Sequence, residues 1–385
     1  MGQMLVPILP MVLLIGNYSL DRQHSMQRFG MMMLAGLTNA GVKAEWIAPE
    51  PILGRFRGGR GFVAKWLAYV DKYFLFPTRL RAKRKNRPSV VHICDHSNAV
   101  YTGQFKGFPI VVTCHDLIAV RDALGEQTDC PMSFTGKLLQ RWILRGLRRA
   151  SAIACVSNAT RADVVRIVGP NSDRRQIEVV SLGLNYPYKL LERFEAQRRL
   201  EKIPELNTGL EFVLNVSSNF PRKNRPGVLR IFARCKNQWN GRLVFVGEPL
   251  NSELRSLASA LGIADRIVEI ENAESEILEA LYNCAVALLY PSTFEGFGWP
   301  IIEAQACGCP VICTNSGPMP ESAGEAGLFH NADDEQGFAD DLLRLTDPSE
   351  RSLWSEKSLR NAARFSAGKM IGQYIDVYRR LGAQI

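Results

Sequence analysis

The chain has 385 residues, 46% of them apolar and 22% charged, with a formal net charge of +9. That length exceeds one ordinary hydrophobic core and suits two domains, and the composition excludes a disordered polymer. No stretch holds about 18 uninterrupted apolar residues, so a bilayer-spanning helix is not expected. The nine cysteines, an odd number set mostly within apolar runs (Cys94, Cys114, Cys155, Cys284, Cys313), read as reduced thiols of a cytoplasmic protein and not as a disulfide framework.

The apolar start, Met4 to Gly16, has neither a basic leader nor a small-residue cleavage site and is interrupted by prolines, so it does not read as a secretion signal. Met11–Ile15 is the first predicted strand, and residues 1–10 read as an extension ahead of it. Along the first half, strands are then predicted at Val42–Ala48, Val90–Cys94, Ile110–Cys114, Ala152–Ser157 and Ile177–Ser181, with helical spacing at Ser25–Ala40 and Lys137–Arg149. The second half repeats the pattern with strands at Phe212–Ser217, Leu243–Gly247, Arg266–Ile270, Val286–Tyr290 and Pro310–Thr314, and a weaker one at Gly327–Phe329. Helices are predicted between them at Arg225–Cys235, Ser252–Leu261 and Ser275–Cys284. Alternation of strand and helix in both halves implies α/β architecture with two doubly wound, Rossmann-like parallel sheets. The polar stretch Asn185–Asn207 is the expected junction. The expected domains are 1–190 and 191–365, with 366–385 a terminal helix.

Charge is uneven. Between Gly54 and Arg87 stand eleven basic residues (Arg55, Arg57, Arg60, Lys65, Lys72, Arg79, Arg81, Lys83, Arg84, Lys85, Arg87) against the single acid Asp71, which accounts for the whole net charge. Such a focused patch points to a polyanionic partner. The interleaved aromatics Phe56, Phe62, Trp66, Tyr69, Tyr73, Phe74 and Phe76 have a spacing that suits an amphipathic helix and apolar packing better than an open nucleic-acid strip, which leaves an anionic membrane face or a solvated face covering the sheet as the readings.

Ligands of such sheets bind at the carboxyl ends of the strands, so the loops after strands carry the chemistry. After Tyr290 comes a loop with Glu295, Gly296, Phe297, Gly298 and Trp299, then Pro300 where a helix begins, Glu303 in its first turn, and Gly308 and Pro310 closing it. The glycines permit close backbone approach, and the helix start offers free amides to an anion, which is a phosphate-facing arrangement. Glu295 and Glu303 are candidate acceptors for sugar hydroxyls, or alternatively a solvated loop acid and a helix-dipole partner. Cys307, Cys309 and Cys313 do not have metal spacing, and Asp95, His96 and Ser97, being consecutive, do not form a hydrolase triad.

The segment Tyr290–Pro310 resembles the signature of the family 4, GT-B-fold glycosyltransferases of the group 1 type: a strand, Glu-Gly-Phe-Gly-x-Pro, a second Glu eight residues after the first, then Ala-x-Ala-x-Gly-x-Pro. The resemblance implies two Rossmann-like domains facing across a cleft, 1–190 on the acceptor side and 191–365 binding the nucleotide sugar, with the helix in 366–385 crossing back to the first, and a retaining, metal-independent glycosyltransferase without a cofactor. It implies that Glu303 holds the ribose hydroxyls and Glu295 a hydroxyl of the donor sugar, with amides around Gly296, Phe297, Gly298 and Trp299 meeting sugar and diphosphate. Arg222 and Lys223, in the turn after Phe212–Ser217, look like the clamp on the diphosphate, where negative charge develops as the anomeric bond breaks. Ser217 and Ser218 depart from the Gly-Arg or Gly-Thr pair common there. His115, in the turn Thr113 to Leu117, looks like the histidine that reaches the donor sugar, with Asp116 its support or a local cap. Gly16 stands where the family often has a Gly-Gly pair near the donor phosphate, and the longer insert after it puts Asp21, Arg22 and His24 on the acceptor side. The partners implied are a nucleotide diphosphate sugar, GDP-mannose or a UDP-hexose, and a glycan or lipid-linked acceptor of cell-surface polysaccharide synthesis, with residues 54–87 on an anionic membrane face. A GT-B epimerase or phosphorylase and a basic nucleic-acid- or membrane-binding protein are the alternative classes.

Overall fold

A computed structural model describes residues 11–21, 23–57, 62–129, 132–172, 175–207 and 209–385. The chain divides into two compact units, one running to Asn185 and taking in Ala367–Ile385, the other Tyr186–Ser366.

The first unit is built on a parallel sheet of β1 (Val12–Ile15), β2 (Ala44–Ile47), β3 (Val90–Ile93), β4 (Ile110–Cys114), β5 (Ala152–Cys155) and β6 (Gln176–Val179), in the order β2-β1-β3-β4-β5-β6. β1, β3, β4 and β5 are buried along their whole length, as expected of strands covered on both faces, which accounts for their continuous apolar runs. His92 interrupts β3. Its Nδ1 lies 2.7 Å from the Tyr378 hydroxyl and its Nε2 2.8 Å from Thr113 Oγ1, so both ring nitrogens are satisfied in the core. Tyr374 stacks on the same ring at 5.0 Å and also bonds Thr113, so the terminal helix Ala367–Arg380 is anchored on the sheet by two tyrosines. It approaches the helix His24–Asn39 closely, because Gly36 leaves room for Ile371 that a Cβ would fill.

The second unit has β7 (Phe212–Ser217), β8 (Arg242–Gly247), β9 (Ile267–Ile270), β10 (Leu288–Tyr290), β11 (Val311–Thr314) and β12 (Gly327–His330), all parallel, in the order β12-β11-β10-β7-β8-β9. Strand order reverses between β10 and β7, and in the first unit between β1 and β3. These are the switch points where loops diverge and leave a crevice outside the strand ends. Each sheet carries its own apolar core, with members such as Val112, Ile153 and Leu147 in the first and Val228, Phe232 and Ile312 in the second.

Two segments carry more structure than the sequence expectation assigned them. The junction Asn185–Asn207 contains a helix, Arg193–Leu200, bound to the second unit: buried Glu279 accepts from Lys189 N at 3.0 Å and Arg199 Nη1 at 2.7 Å. The basic run forms two helices, Phe62–Val70 and Phe76–Arg84, joined by a π-helical turn, Asp71–Leu75. Its single acid is a buried rivet, for the Asp71 carboxylate accepts from the Tyr18 hydroxyl and from the amides of Leu53 and Gly54.

Candidate active site

In the second unit, β10 lies beside β7, so the loop carrying Glu295 and the turn carrying Arg222 and Lys223 emerge next to each other at the switch point. The two are stitched together by Thr293 N donating to Arg222 O at 2.8 Å. Asn224 follows in left-handed conformation (φ 50°), where its side chain caps the helix Arg225–Cys235 through Gly227 N and also donates to Pro291 O. A tight turn that reverses into a capped helix thus presents the two preceding cations to the neighbouring loop.

They converge on one carboxylate. Glu295 Oε1 accepts from Lys223 Nζ at 2.6 Å and from the Tyr290 hydroxyl at 2.8 Å, and Oε2 accepts from Arg222 Nη1 at 2.9 Å. Glu295 is 7% exposed and Lys223 13%, so the pair is largely shielded from water. Burial raises the Glu295 carboxyl, but the charges of Lys223 and Arg222 outweigh it and hold the group below the usual carboxylate range. Burial lowers the Lys223 ammonium, and Glu295 opposes that shift. Tyr290 also lies 3.1 Å from Lys223 Nζ, so its hydroxyl ties the cation to the acid.

Past this loop, Gly298 takes φ 95° at the start of the helix Trp299–Ala306, with Pro300 in its first turn. Ser322 Oγ donates to Phe297 O at 2.7 Å and fixes the bend. The Phe297 and Trp299 side chains are buried, which leaves the backbone as the part of this turn able to meet a ligand. Glu303 is 4% exposed and accepts from the Tyr282 hydroxyl at 3.0 Å.

Arg225, one residue after the left-handed turn, is 2% exposed and bonds the side chains of Ser217 and Asn219 and the carbonyls of Ser217 and Glu248, over the Phe245 ring at 5.1 Å. Burial lowers its guanidinium to about 10. It binds the loop after β7 to the loop after β8. Ser217, where the family commonly has a glycine-led pair, is therefore part of a hydrogen-bond scaffold.

In the first unit, His115 at the end of β4 is 5% exposed, with Nε2 3.0 Å from Cys94 O and its ring edge-on to Phe29 at 4.9 Å. Burial lowers its pKa, which favours the neutral ring. Asp116 caps the next helix through Ile118 N at 3.1 Å. Asp95 is held by Asn17, Ser97 N and Ser97 Oγ, and its Oδ1 lies 3.2 Å from His96 Nδ1. Ser97 bonds the aspartate and not the histidine, so no nucleophilic triad is assembled. Gly16 leaves room for Trp46, whose ring a Cβ would approach to 2.0 Å, so packing alone requires glycine there. Asp21 pairs with Lys72 at 2.8 Å, and His24 begins a helix on the exposed side. Arg22 lies outside the described residues.

Tyr290, Tyr282, Arg225 and the Asn17–Asp95 pair were not singled out from the sequence. A hydroxyl closing an otherwise apolar strand marks Tyr290. Tyr282 and Glu303 meet only through the fold.

Two family models match the chain: Glycosyltransferase Family 4 over residues 26–186 and Glycosyl transferases group 1 over residues 196–361. The O-antigen chain mannosyltransferase B of Escherichia coli is 28% identical over 260 residues, 64% of this chain and 65% of that protein. The D-inositol 3-phosphate glycosyltransferase of Acidothermus cellulolyticus is 29% identical over 293 residues, 71% of this chain and 62% of that one. The matches thus span somewhat less than two thirds of these relatives' length. Among solved structures, the sucrose-phosphate synthase of Thermosynechococcus elongatus superposes with a TM-score of 0.77 at 20% identity, covering 98% of this chain and all of that one. Anabaena HepE in complex with UDP-glucose gives 0.71 at 15% identity, over 96% of this chain and 99% of that one. With one model on each unit and the strand orders described above, the chain belongs to the family 4 glycosyltransferases of the GT-B fold.

Proposed function

We propose that the protein transfers a hexose from a nucleotide diphosphate sugar to a glycan or lipid-linked acceptor, with retention and without a metal. The observation that carries this reading is the convergence of Arg222 and Lys223 on buried Glu295 at the switch point of the second unit. Two preorganised cations in a shielded site suit the charge that develops on a departing diphosphate. Arg222 supplies a planar fork and Lys223 a point charge, and Glu295 accepts from a sugar hydroxyl when the diphosphate takes over the cations. Glu303, oriented by Tyr282, holds the ribose hydroxyls, and backbone amides near Gly296 and Gly298 meet the phosphates. In the first unit, neutral His115 is assigned to the donor sugar, and Asp21, Arg22 and His24 to the acceptor.

The leaving diphosphate itself takes the acceptor proton on the face it vacates, so no separate enzymic base is required. GDP-mannose is the first donor choice, supported by the mannosyltransferase relative, and a UDP-hexose the second, supported by the UDP-glucose complex of the Anabaena neighbour. Among the described residues no helix is long and apolar enough to cross a membrane. We place the enzyme in the cytoplasm, peripherally on the inner membrane face through residues 54–87, acting in cell-surface polysaccharide synthesis.

Incubation with GDP-mannose and with UDP-glucose, with and without acceptor, tests the reading. Transfer with an unchanged anomeric configuration in the presence of chelator supports it. Formation of an epimer or of a sugar phosphate alone overturns it.

A further inference from the structure

A second cationic element stands in the first unit, outside the run 54–87. Residues 132–149 hold Lys137, Arg141, Arg145, Arg148 and Arg149 and not one acid. Most of them lie on the helix Phe134–Leu147, capped by the Ser133 side chain. Phe134, Leu138 and Trp142 recur every fourth residue and form one stripe, and Lys137, Arg141 and Arg145 form the stripe beside it. The apolar stripe is open to solvent: Phe134 is 81% exposed, Leu138 58% and Trp142 40%. Among the described residues none of the three flanking cations has an ion-pair partner. By contrast, Lys72, Arg79 and Lys83 of the first run are answered by Asp21, Glu50 and Glu45.

The helix does not stand alone. Trp142 meets Tyr73 at 5.4 Å, Tyr73 meets Tyr69 at 5.6 Å, and Tyr69 meets Trp66 at 5.7 Å, so an aromatic ladder joins it to the π-helical turn and the helix Phe62–Val70. Beside the ladder opens a cavity of about 300 Å³ of mixed lining, with Tyr73, Phe74 and Trp142 facing the polar groups of Thr78, Tyr101 and Gln104. Arg81 lies on its wall, held by Gln104 through Nε at 3.2 Å, and Phe74 is 71% exposed. An exposed aromatic patch flanked by basic residues that have no ion-pair partner among the described residues has the chemistry of an amphiphile site.

We propose that this face seats on an anionic phospholipid bilayer, with Phe74, Phe134, Leu138 and Trp142 entering the interface and Lys137, Arg141 and Arg145 meeting the headgroups. Charge complementarity selects the occupant, because a stripe of three unpaired cations next to three exposed hydrophobes matches an anionic headgroup layer over hydrocarbon. Each methylene removed from water is worth roughly a factor of four in affinity. The choice of a membrane rests on the reading above, but the site is built from residues of the first unit alone, none of them assigned to the donor, and is tested without transfer.

The test is co-sedimentation of the full chain with vesicles of phosphatidylglycerol carrying brominated acyl chains, against phosphatidylcholine, at low and high salt. Expected are binding to the anionic vesicles, partial survival of it at high salt, and quenching of tryptophan fluorescence that Trp142→Phe diminishes. The double variant Phe134→Ser/Leu138→Ser, altered only at exposed positions, should bind about tenfold more weakly, while Lys43→Ser, exposed and outside both basic elements, should bind like the parent protein. Retained stabilisation by GDP or UDP in these variants shows that the donor site is intact, which separates failure of this proposal from failure of the donor assignment. Absence of binding at low salt, parental binding by the double variant, or a soluble dimer that the double variant abolishes without any vesicle binding would each overturn the proposal.

Discussion

Replacing Glu295 by alanine removes the one acid on which Arg222 and Lys223 converge. Breaking a buried ion pair by deleting one partner costs about 3–5 kcal/mol, because the remaining charge is left uncompensated. Arg222 is 26% exposed and partly hydrated, so the larger share falls on Lys223 at 13%, and the lower end of that range, about 3 kcal/mol, is expected for the second unit. The carboxylate and a bound diphosphate also compete for the same two cations. A saturating nucleoside diphosphate should restore most of the lost stability, and its affinity for Glu295→Ala should equal or exceed that for the parent. At a ligand concentration about 100 times Kd, binding adds about 2.7 kcal/mol, enough to see the difference. Urea unfolding of parent and variant, each with and without GDP and UDP, reads both effects. Transfer by the variant should fall even as nucleotide binding persists, since the sugar hydroxyl has lost its acceptor. If Glu295→Ala without ligand is within about 0.5 kcal/mol of the parent, or if nucleotide affinity collapses with it, the coupling of these three residues is wrong.

Arg222→Ala and Lys223→Ala should each slow transfer by about a hundredfold or more, as for loss of one preorganised donor to a developing anion, and parental initial rates in both would refute the clamp. Glu303→Ala should weaken binding of free nucleoside diphosphate, and Tyr282→Phe should do so by roughly fivefold through loss of one orienting hydrogen bond, both read by calorimetric titration. His92 is buried neutral with its pKa lowered to about 3 by burial and by His115. The unfolded chain therefore takes up a proton at this position below about 6.5 while the folded one does not, so stability should fall as pH drops from about 6.5 towards 3, by about 1.4 kcal/mol per unit. His92→Gln should flatten that slope in urea unfolding across the window, and an unchanged slope would remove His92 from the acid transition.

Much of the first expectation came from local pattern. The alternation of buried apolar runs with helical spacing is readable because strands covered on both faces must be apolar throughout, as β3, β4 and β5 nearly are, and because capped amphipathic helices announce their ends. Glu295, Gly298, Pro300 and Glu303 lie within nine residues, so a single loop and helix start carry their relation, and a linear motif suffices. The turn at Arg222 to Asn224 was equally compact.

What local pattern could not supply was which distant groups share an environment. Glu295 and Lys223 are 72 residues apart, and only the adjacency of β10 and β7 makes them one buried pair. Tyr282 and Glu303, and His92 with the terminal Tyr378 286 residues away, meet for the same reason. The basic run shows the converse limit. Counting charges from Gly54 to Arg87 describes composition, whereas Asp21, Glu45 and Glu50 reach back to neutralise part of it, and the helix Phe134–Leu147 adds cations from elsewhere. The sequence by itself determined the strand and helix order and the residue types at the strand ends, because periodicity and turn chemistry act over a few residues. The tertiary structure alone decided which charges are paired, which are buried and which face solvent, because Coulombic and desolvation energies depend on distance in space and not along the chain.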